Sequence, residues 1–206
     1  MGAGGPFREE PNLRVESLVL ARGGRVLFEP LSFEAGAGAL VEIRGANGSG
    51  KTSLLRALAG FLKPHAGRIA FDNVEEPALA LHFVGHQSGL KPAASARAHL
   101  RYWAGLFACA PSDEPLSRLG LSHCADLPAR VLSQGQARRL ALARLLVAPR
   151  PLWLLDEPAA ALDASGTMLL AELAAAHCAN GGIALAAVHR PLGPAATLEL
   201  NLGGPQ

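Results

Sequence analysis

A glycine-rich stretch at positions 45–52 is the first part of the chain whose residue types point to chemistry. Its spacing, G-x-x-x-x-G-K-[ST], lets backbone N–H groups curl around an anion without a clashing Cβ atom. Lys51 would reach the β- and γ-phosphates of a nucleotide, and the Thr52 hydroxyl would ligate Mg²⁺. The sequence therefore predicts a nucleotide-binding loop made of Gly45, Ala46, Asn47, Gly48, Ser49, Gly50, Lys51, Thr52 and Ser53.

Two acids close an apolar run further along the chain. Residues 152–155 are apolar in succession, which is typical of a central parallel strand covered on both faces. Asp156 and Glu157 follow at the carboxyl end of that strand, where functional groups of such sheets gather. We expect Asp156 to hold Mg²⁺, commonly through water, and Glu157 to polarise an attacking water molecule.

A third segment, at 132–136, precedes an amphipathic helical run at 137–146. Its serine and glycine would lie at a helix N-terminus, where N–H groups and the helix dipole favour an anion. The segment resembles the signature motif of ATP-binding-cassette (ABC) ATPases, although glutamine replaces the commoner small residue at its second position. In that family the anion is the γ-phosphate held by the partner subunit. The matching residues are Ser133, Gln134, Gly135 and Gln136.

Three further residues fall in the order typical of this family. Gln87 resembles the Q-loop glutamine, which contacts Mg²⁺ and the attacking water. Asp163 resembles the D-loop aspartate at the dimer interface, and His189 resembles the switch histidine on the γ-phosphate. The resemblance thus implies an ATPase that uses ATP and Mg²⁺. Its catalytic residues would be Glu157, His189 and Gln87, and its metal ligands Thr52, Gln87 and Asp156.

The same resemblance implies a homodimer that binds two ATP molecules head-to-tail. Each ATP would lie between residues 45–52 of one chain and residues 133–136 of the other. ATP would close the dimer, and hydrolysis would reopen it. Catalysis of this kind consists of positioning and electrostatic stabilisation of the phosphates.

The elements that must position these motifs indicate an α/β fold. The resemblance implies a P-loop NTPase of the ABC nucleotide-binding type, with an antiparallel β subdomain and a helical subdomain. We expect a disordered tail at 1–10 and a single domain at 11–203, with the helical subdomain at about 90–145. Strands are predicted at 13–20, 26–33 (bent at Pro30), 40–43, 69–71, 79–84, 152–155, 183–188 and 197–202. Helices are predicted at 53–59, 95–109, 112–119, 134–147 and 165–178.

Composition limits the function classes that fit. The chain has 206 residues, 50% of them hydrophobic, which suits one domain with a sizeable core. A net charge of +2 and only 5% aromatic residues argue against a nucleic-acid partner. No apolar run reaches the roughly 20 residues of a membrane span, and no signal peptide is apparent. The cysteines, predicted to be free thiols, are Cys109, Cys124 and Cys178.

Three short sequence segments narrow the resemblance within the ABC family. The segments 84–91, 132–146 and 151–158 resemble ATP-binding subunits of the bacterial haem exporters for cytochrome c biogenesis. This resemblance implies a peripheral protein on the cytoplasmic face of the bacterial inner membrane, docked on transmembrane subunits of a haem-handling ABC complex. Whether ATP would drive haem export or haem release from a chaperone stays open. No haem-ligand pair is apparent, so direct haem binding is not expected.

Other functions remain open at this level. The chain could serve an ABC transporter for a different cargo, because nucleotide chemistry does not encode cargo. A nucleic-acid-linked ABC ATPase and a regulatory module without turnover fit less well. Many cassettes stack an aromatic residue on adenine near the first turn, yet residues 20–23 contain none, and we hypothesise that the Arg22 guanidinium stacks there instead.

Overall fold

The chain folds as an antiparallel β portion, a parallel sheet and a group of helices. The computed structural model describes residues 7, 10–74, 76–193 and 196–203; the predicted tail at 1–10 lies outside them except for residues 7 and 10. The strands are β1 (Asn12–Val19), β2 (Ala21–Arg22), β3 (Arg25–Val26), β4 (Leu31–Gly36), β5 (Leu40–Arg44), β6 (Ala66–Asp72), β7 (Leu81–Val84), β8 (Leu152–Asp156), β9 (Ile183–Ala187) and β10 (Leu198–Asn201). The helices are α1 (Lys51–Leu58), α2 (Ala96–Leu106), α3 (Glu114–Arg118), α4 (Gln134–Val147) and α5 (Ala164–Ala179).

Strand β1 is the centre of the antiparallel sheet and pairs with both β4 and β6. Leu13 and Val15 are buried while Arg14 between them is exposed, as the two-residue period of a strand requires. A bulge at Ser17, whose φ is +44°, shifts the register so that Leu18 again faces the core. The strand predicted at 13–20 is therefore confirmed.

The single return strand predicted at 26–33 is wrong. Strand β3 ends at Val26, and β4 begins only at Leu31. Pro30 lies between them, and proline has no N–H group with which to continue a ladder of hydrogen bonds. Strands β2 and β3 instead form a small antiparallel hairpin across the glycine pair at 23–24.

The parallel sheet has the strand order β10-β5-β9-β8-β7. Every residue of β8 and β9 is buried, because helices cover both faces. Along β8 the side chains alternate between two hydrophobic clusters: Leu152 and Leu154 face one, and Trp153 and Leu155 face the other. The carboxyl ends of β5, β8 and β9 meet at one edge, and this edge carries the motifs predicted to bind nucleotide.

Helices α2, α3 and α4 lie between β7 and β8 in sequence and share a core that includes Leu100, Trp103, Leu116 and Leu140. The helix predicted at 134–147 is confirmed to the residue. The same hydrophobic cluster continues into one face of the parallel sheet. That continuity supports a single domain, whose boundaries at 11–203, with a helical subdomain at 90–145, stay predictions.

The helices and the cysteines bear on two expectations from composition. Within the described ranges, no helix combines the length and the apolar character that crossing a bilayer demands. Cys109, Cys124 and Cys178 are free thiols. Burial raises the pKa of the Cys178 thiol to about 11, so this cysteine stays protonated at neutral pH.

Candidate functional site

The predicted phosphate loop connects β5 to α1 at the carboxyl edge of the parallel sheet. Gly45 has a φ of +146°, and a Cβ atom there would lie 2.5 Å from the carbonyl oxygen of Leu202. Gly50 has a φ of +101°, and a Cβ atom there would lie 2.9 Å from the Phe28 ring. Both positions exclude a side chain, which explains why the loop requires glycine at this spacing.

Lys51 is the first residue of α1, and only 6% of it is exposed. Its Nζ donates hydrogen bonds to the carbonyl oxygens of Gly45 at 2.7 Å and Ala46 at 3.0 Å. Gly50, the N-cap residue, offers no side chain to the first amides of the helix. An ammonium group, free helix N–H groups and the helix dipole thus converge on one anion-binding position.

Thr52 and Asp156 come together beside this position. The Thr52 hydroxyl donates to the Asp156 carboxylate and lies 3.0 Å from each of its oxygens. Asp156 ends β8 and is 2% exposed. A hydroxyl and a carboxylate next to a phosphate site are oxygen ligands of the kind that Mg²⁺ takes, with its other positions left to water and phosphate. This pair therefore fits the predicted metal.

Glu157 lies between two histidines. Its Oε1 is 3.2 Å from His189 Nε2, and its Oε2 is 3.2 Å from His86 Nδ1. The backbone of Glu157 has a φ of +49°, a left-handed conformation that costs a non-glycine residue on the order of 1 kcal/mol. The structure thus brings together Glu157 and His189, two of the predicted catalytic residues, and adds His86, to which the sequence assigned no role.

A cavity of about 640 Å³ opens above the phosphate loop. Its walls include Asn47, Lys51 and Thr52 from the loop and α1, Arg22 from β2, His86, Glu157 and His189. Gln87, the third predicted catalytic residue, is exposed beside His86 and does not belong to the described lining. Arg22 lies at the cavity wall, and its stacking on adenine stays a prediction.

Arg138 on α4 is another functional candidate that sequence reasoning missed. Only 4% of it is exposed, and its guanidinium donates to main-chain carbonyls at the end of β8 and in the loop after β7. Burial lowers the pKa of Arg138, while the charges of Asp156 and Glu157 oppose that shift. One signal was available: helical spacing places position 138 on the same stripe as Leu142 and Leu145, so an arginine stands where an apolar residue belongs.

Glu42 is a second buried charge at the site. It lies within β5 and is 1% exposed. Its Oε1 accepts a hydrogen bond from the Leu192 N–H at 2.7 Å, and its Oε2 accepts one from Arg44 at 2.6 Å. Since Leu192 follows His189 by three residues, this carboxylate anchors the segment that presents the histidine. An acid inside an apolar strand was the signal for it.

The signature segment at 133–136 begins α4 and forms a capping box. Ser133 Oγ accepts from the Gln136 N–H at 3.2 Å, and Gln136 Oε1 accepts from the Ser133 N–H at 2.9 Å. A Cβ atom at Gly135 would lie 3.1 Å from the carbonyl oxygen of Ala161. Ser133 and Gln134 are exposed, and none of the four residues lines the described cavity of their own chain.

Asp163 caps the N-terminus of α5. Its Oδ1 accepts from the Gly166 N–H at 2.8 Å and from the Ser165 hydroxyl at 3.1 Å. These hydrogen bonds, the one from Gly166 first, lower the pKa of the carboxyl group. Arg139 of α4 lies 3.4 Å from Oδ2, so the D-loop candidate is fixed to the helix that carries the signature segment.

The chain is similar to known proteins in both sequence and fold. The family model "ABC transporter" matches residues 28–160. The chain is similar to a protein of Rhodopseudomonas palustris named "Cytochrome c biogenesis ATP-binding export protein CcmA", with 48% identity across 88% of this chain and 93% of the relative. A protein of the same name from Hyphomonas neptunium is 45% identical, across 93% of this chain and 97% of the relative. Among solved structures, a putative ABC transporter ATP-binding protein from Pyrococcus furiosus superposes with a TM-score of 0.81 at 22% identity, covering 93% of this chain and 97% of the other, which shows the shared fold.

Proposed function

Because the chain belongs to the ABC transporter family, as an ATPase similar to the cytochrome c biogenesis ATP-binding export proteins, we propose that it supplies the energy of ATP hydrolysis to haem export or haem delivery in cytochrome c maturation. One observation supports the enzymatic part above all others. Lys51, Thr52, Glu157 and His189 line a single cavity at the carboxyl edge of the parallel sheet.

We assign the nucleotide phosphates to residues 45–53, with the Lys51 ammonium on the β- and γ-phosphates. Thr52 and Asp156 would hold Mg²⁺, and Gln87 would join them when its loop turns toward the cavity. The ion, when bound, neutralises charge on the phosphate oxygens. Glu157 orients and polarises the attacking water, while His189, 3.2 Å from the Glu157 carboxylate, contacts the γ-phosphate.

The complete site needs a second copy of the chain. The N-terminal amides of α4 and the Ser133 hydroxyl form an exposed anion-binding end that lies outside the cavity of its own chain. In a head-to-tail homodimer, residues 133–136 of each copy would cover the γ-phosphate on the other copy, and Asp163 would lie at the interface. A two-fold dimer then contains two equivalent sites.

The partners outside the dimer would be transmembrane subunits. ABC ATPase subunits work with such subunits, and the relatives are named as export proteins of cytochrome c biogenesis. We place the chain at the cytoplasmic face of the bacterial inner membrane, docked on a haem-handling membrane complex. The chain itself would bind neither haem nor nucleic acid.

Affinity isolation from membranes tests the transport part of the proposal. A tagged chain should co-purify with transmembrane subunits of a haem-handling complex, and a Lys51→Ala chain should co-purify with them equally but fail to support cytochrome c maturation. Lys63→Ala, which changes an exposed lysine away from the cavity, is the matched control. Membrane subunits for another cargo, or hydrolysis stimulated by DNA, would assign the ATPase to a different system.

A further inference from the structure

A single buried guanidinium joins the end of β8 to the loop that follows β7. Arg138 Nη2 donates to the carbonyl oxygens of Asp156 at 2.9 Å and Glu157 at 2.7 Å, and Nε donates to that of Pro158 at 3.0 Å. Nη1 donates to the carbonyl oxygen of Gly85 at 2.7 Å and lies 3.4 Å from that of His86. One side chain of α4 therefore binds two of the segments that line the cavity, those that carry His86 and Glu157.

Burying this guanidinium costs free energy, which its hydrogen bonds must offset. A buried cation loses its hydration, and the partners found here are neutral carbonyls rather than carboxylates. Arg144, further along the same helix, is the natural comparison. It donates to one carbonyl, that of Phe83, and its guanidinium lies over the Trp103 ring, so it bridges a helix and a strand without reaching the cavity.

The backbone at Glu157 explains what the guanidinium can do. Because Glu157 has a φ of +49°, the chain turns sharply and the carbonyls of three consecutive residues, 156–158, point to the same place. That turn also directs the Glu157 carboxylate toward His86 and His189. Removing the donors would leave three carbonyls, two of them buried, without these hydrogen bonds and would release the turn.

We propose that Arg138 is a positioning residue for ATP hydrolysis. Its guanidinium fixes the Glu157 carboxylate and the segment before Gln87 relative to each other and to α4. This inference rests on the proposed role of Glu157. The exposed residues at the N-terminal end of α4 would cover the nucleotide of the second copy. A displacement of that end would be transmitted by the rigid, planar guanidinium of Arg138 to the Glu157 carboxylate, which orients water.

Steady-state kinetics of the full chain test the proposal. Arg138→Lys keeps the charge but loses the planar fork, and we expect kcat to fall about 10- to 100-fold while KM for ATP stays within about threefold. Arg138→Met should lower kcat further. Arg144→Lys and Arg144→Met are the matched controls, and each should keep kcat within about threefold after correction for the folded fraction measured by circular dichroism.

A double-mutant cycle separates positioning from general damage to the fold. If Arg138 acts through Glu157, adding Arg138→Lys to Glu157→Gln should leave the residual rate of Glu157→Gln unchanged. Losses that multiply, or a rise in KM without a fall in kcat, would overturn the positioning role. If the wild-type chain does not hydrolyse ATP, or if Glu157→Gln hydrolyses it at the wild-type rate, the proposed function itself fails. If the wild-type chain is active, Glu157→Gln is nearly inactive and Arg138→Lys is fully active, only the positioning role is overturned.

Discussion

Histidines lie at both the carboxyl edge of the parallel sheet, where its strands end, and the amino edge, where they begin, but in opposite surroundings. At the carboxyl edge, the side chains of His86 and His189 are 66% and 53% exposed and face the Glu157 carboxylate. At the amino edge, His82 and His177 are 2% and 7% exposed and contact main-chain carbonyls. Histidine thus lines a cavity at one edge and fills a core at the other.

The amino edge shows what burial does to such a group. His177 stacks on Trp153 with ring centroids 4.0 Å apart, and a Cβ atom at Gly182 would collide with its ring. Burial lowers the pKa of His177 to about 4 and that of His82 to about 3. Both are neutral at pH 7. Whether a histidine lines the candidate site or packs in the core therefore depends on the edge of the parallel sheet at which it lies.

The largest predicted effect is at the carboxyl edge. Lys51→Ala should abolish ATP binding and hydrolysis, since it removes the ammonium from the anion site, while the fold is largely retained. Nucleotide affinity, phosphate release and a thermal melt measure the three quantities. The Lys63→Ala chain serves as the reference, and hydrolysis by Lys51→Ala at the reference rate would contradict the assigned role.

Glu157→Gln should lower kcat about 100-fold, because the amide cannot polarise the attacking water. ATP binding should persist, so the variant should accumulate as an ATP-bound dimer in size-exclusion chromatography with ATP. Glu172→Gln, an exposed change on α5, should behave like wild type. A Glu157→Gln chain that stays monomeric and hydrolyses normally would refute the role of this carboxylate.

At the amino edge, we expect substitutions to change how stability depends on pH rather than how the chain handles nucleotide. The pKa of His177 is about 4 in the folded chain and about 6.5 when unfolded, so between these values the unfolded state binds more protons. Stability from this residue is therefore complete above pH 6.5 and is lost on acidification, by about 2 kcal/mol between pH 6.5 and 5.

His177→Phe should flatten that part of the curve of unfolding free energy against pH, measured by urea titration. Its ATPase rate at pH 7.5 should match wild type. An unchanged slope, or a lost ATPase rate in a folded chain, would remove the contrast between the edges.

A substitution in the signature segment tests whether the nucleotide site at the carboxyl edge needs residues of a second chain. Gly135→Asp adds a carboxylate at the proposed anion site and a Cβ atom 3.1 Å from the Ala161 carbonyl oxygen, so we expect hydrolysis to fall about tenfold. Mixing this chain with the Lys51→Ala chain should restore part of the activity, because each mixed dimer contains one site with both halves intact. Two inactive chains that stay inactive together would argue against a shared site.

The smallest effect concerns adenine. Arg22→Ala should weaken ATP binding about threefold if the guanidinium stacks on the base at the exposed cavity wall. Arg25 pairs with Arg22 across the β2–β3 hairpin and does not belong to the described lining, so Arg25→Ala is the matched control. Equal ATP affinities for the two variants would eliminate the stacking hypothesis.

Sequence reasoning located the elements of the site better than their contacts. It predicted the loop between β5 and α1 and the bounds of α4, because glycine spacing and helical periodicity are local properties. It could not foresee that His86 rather than Gln87 lines the cavity, since that choice depends on how the loop after β7 turns. The contacts of Arg138 depend on the left-handed turn at Glu157, and no residue type in this segment predicts that turn.

The strand order also has a consequence for how the chain is made. Strand β5 lies between β9 and β10, and its Leu40 N–H bonds Thr197, 157 residues later. During synthesis β5 therefore emerges long before either neighbour, with both hydrogen-bonding edges unpaired. Contacts so distant in sequence slow folding, and unpaired edges invite aggregation. We expect nascent chains that stop before β9 to need a chaperone, and nucleotide-binding competence to arise only late in translation.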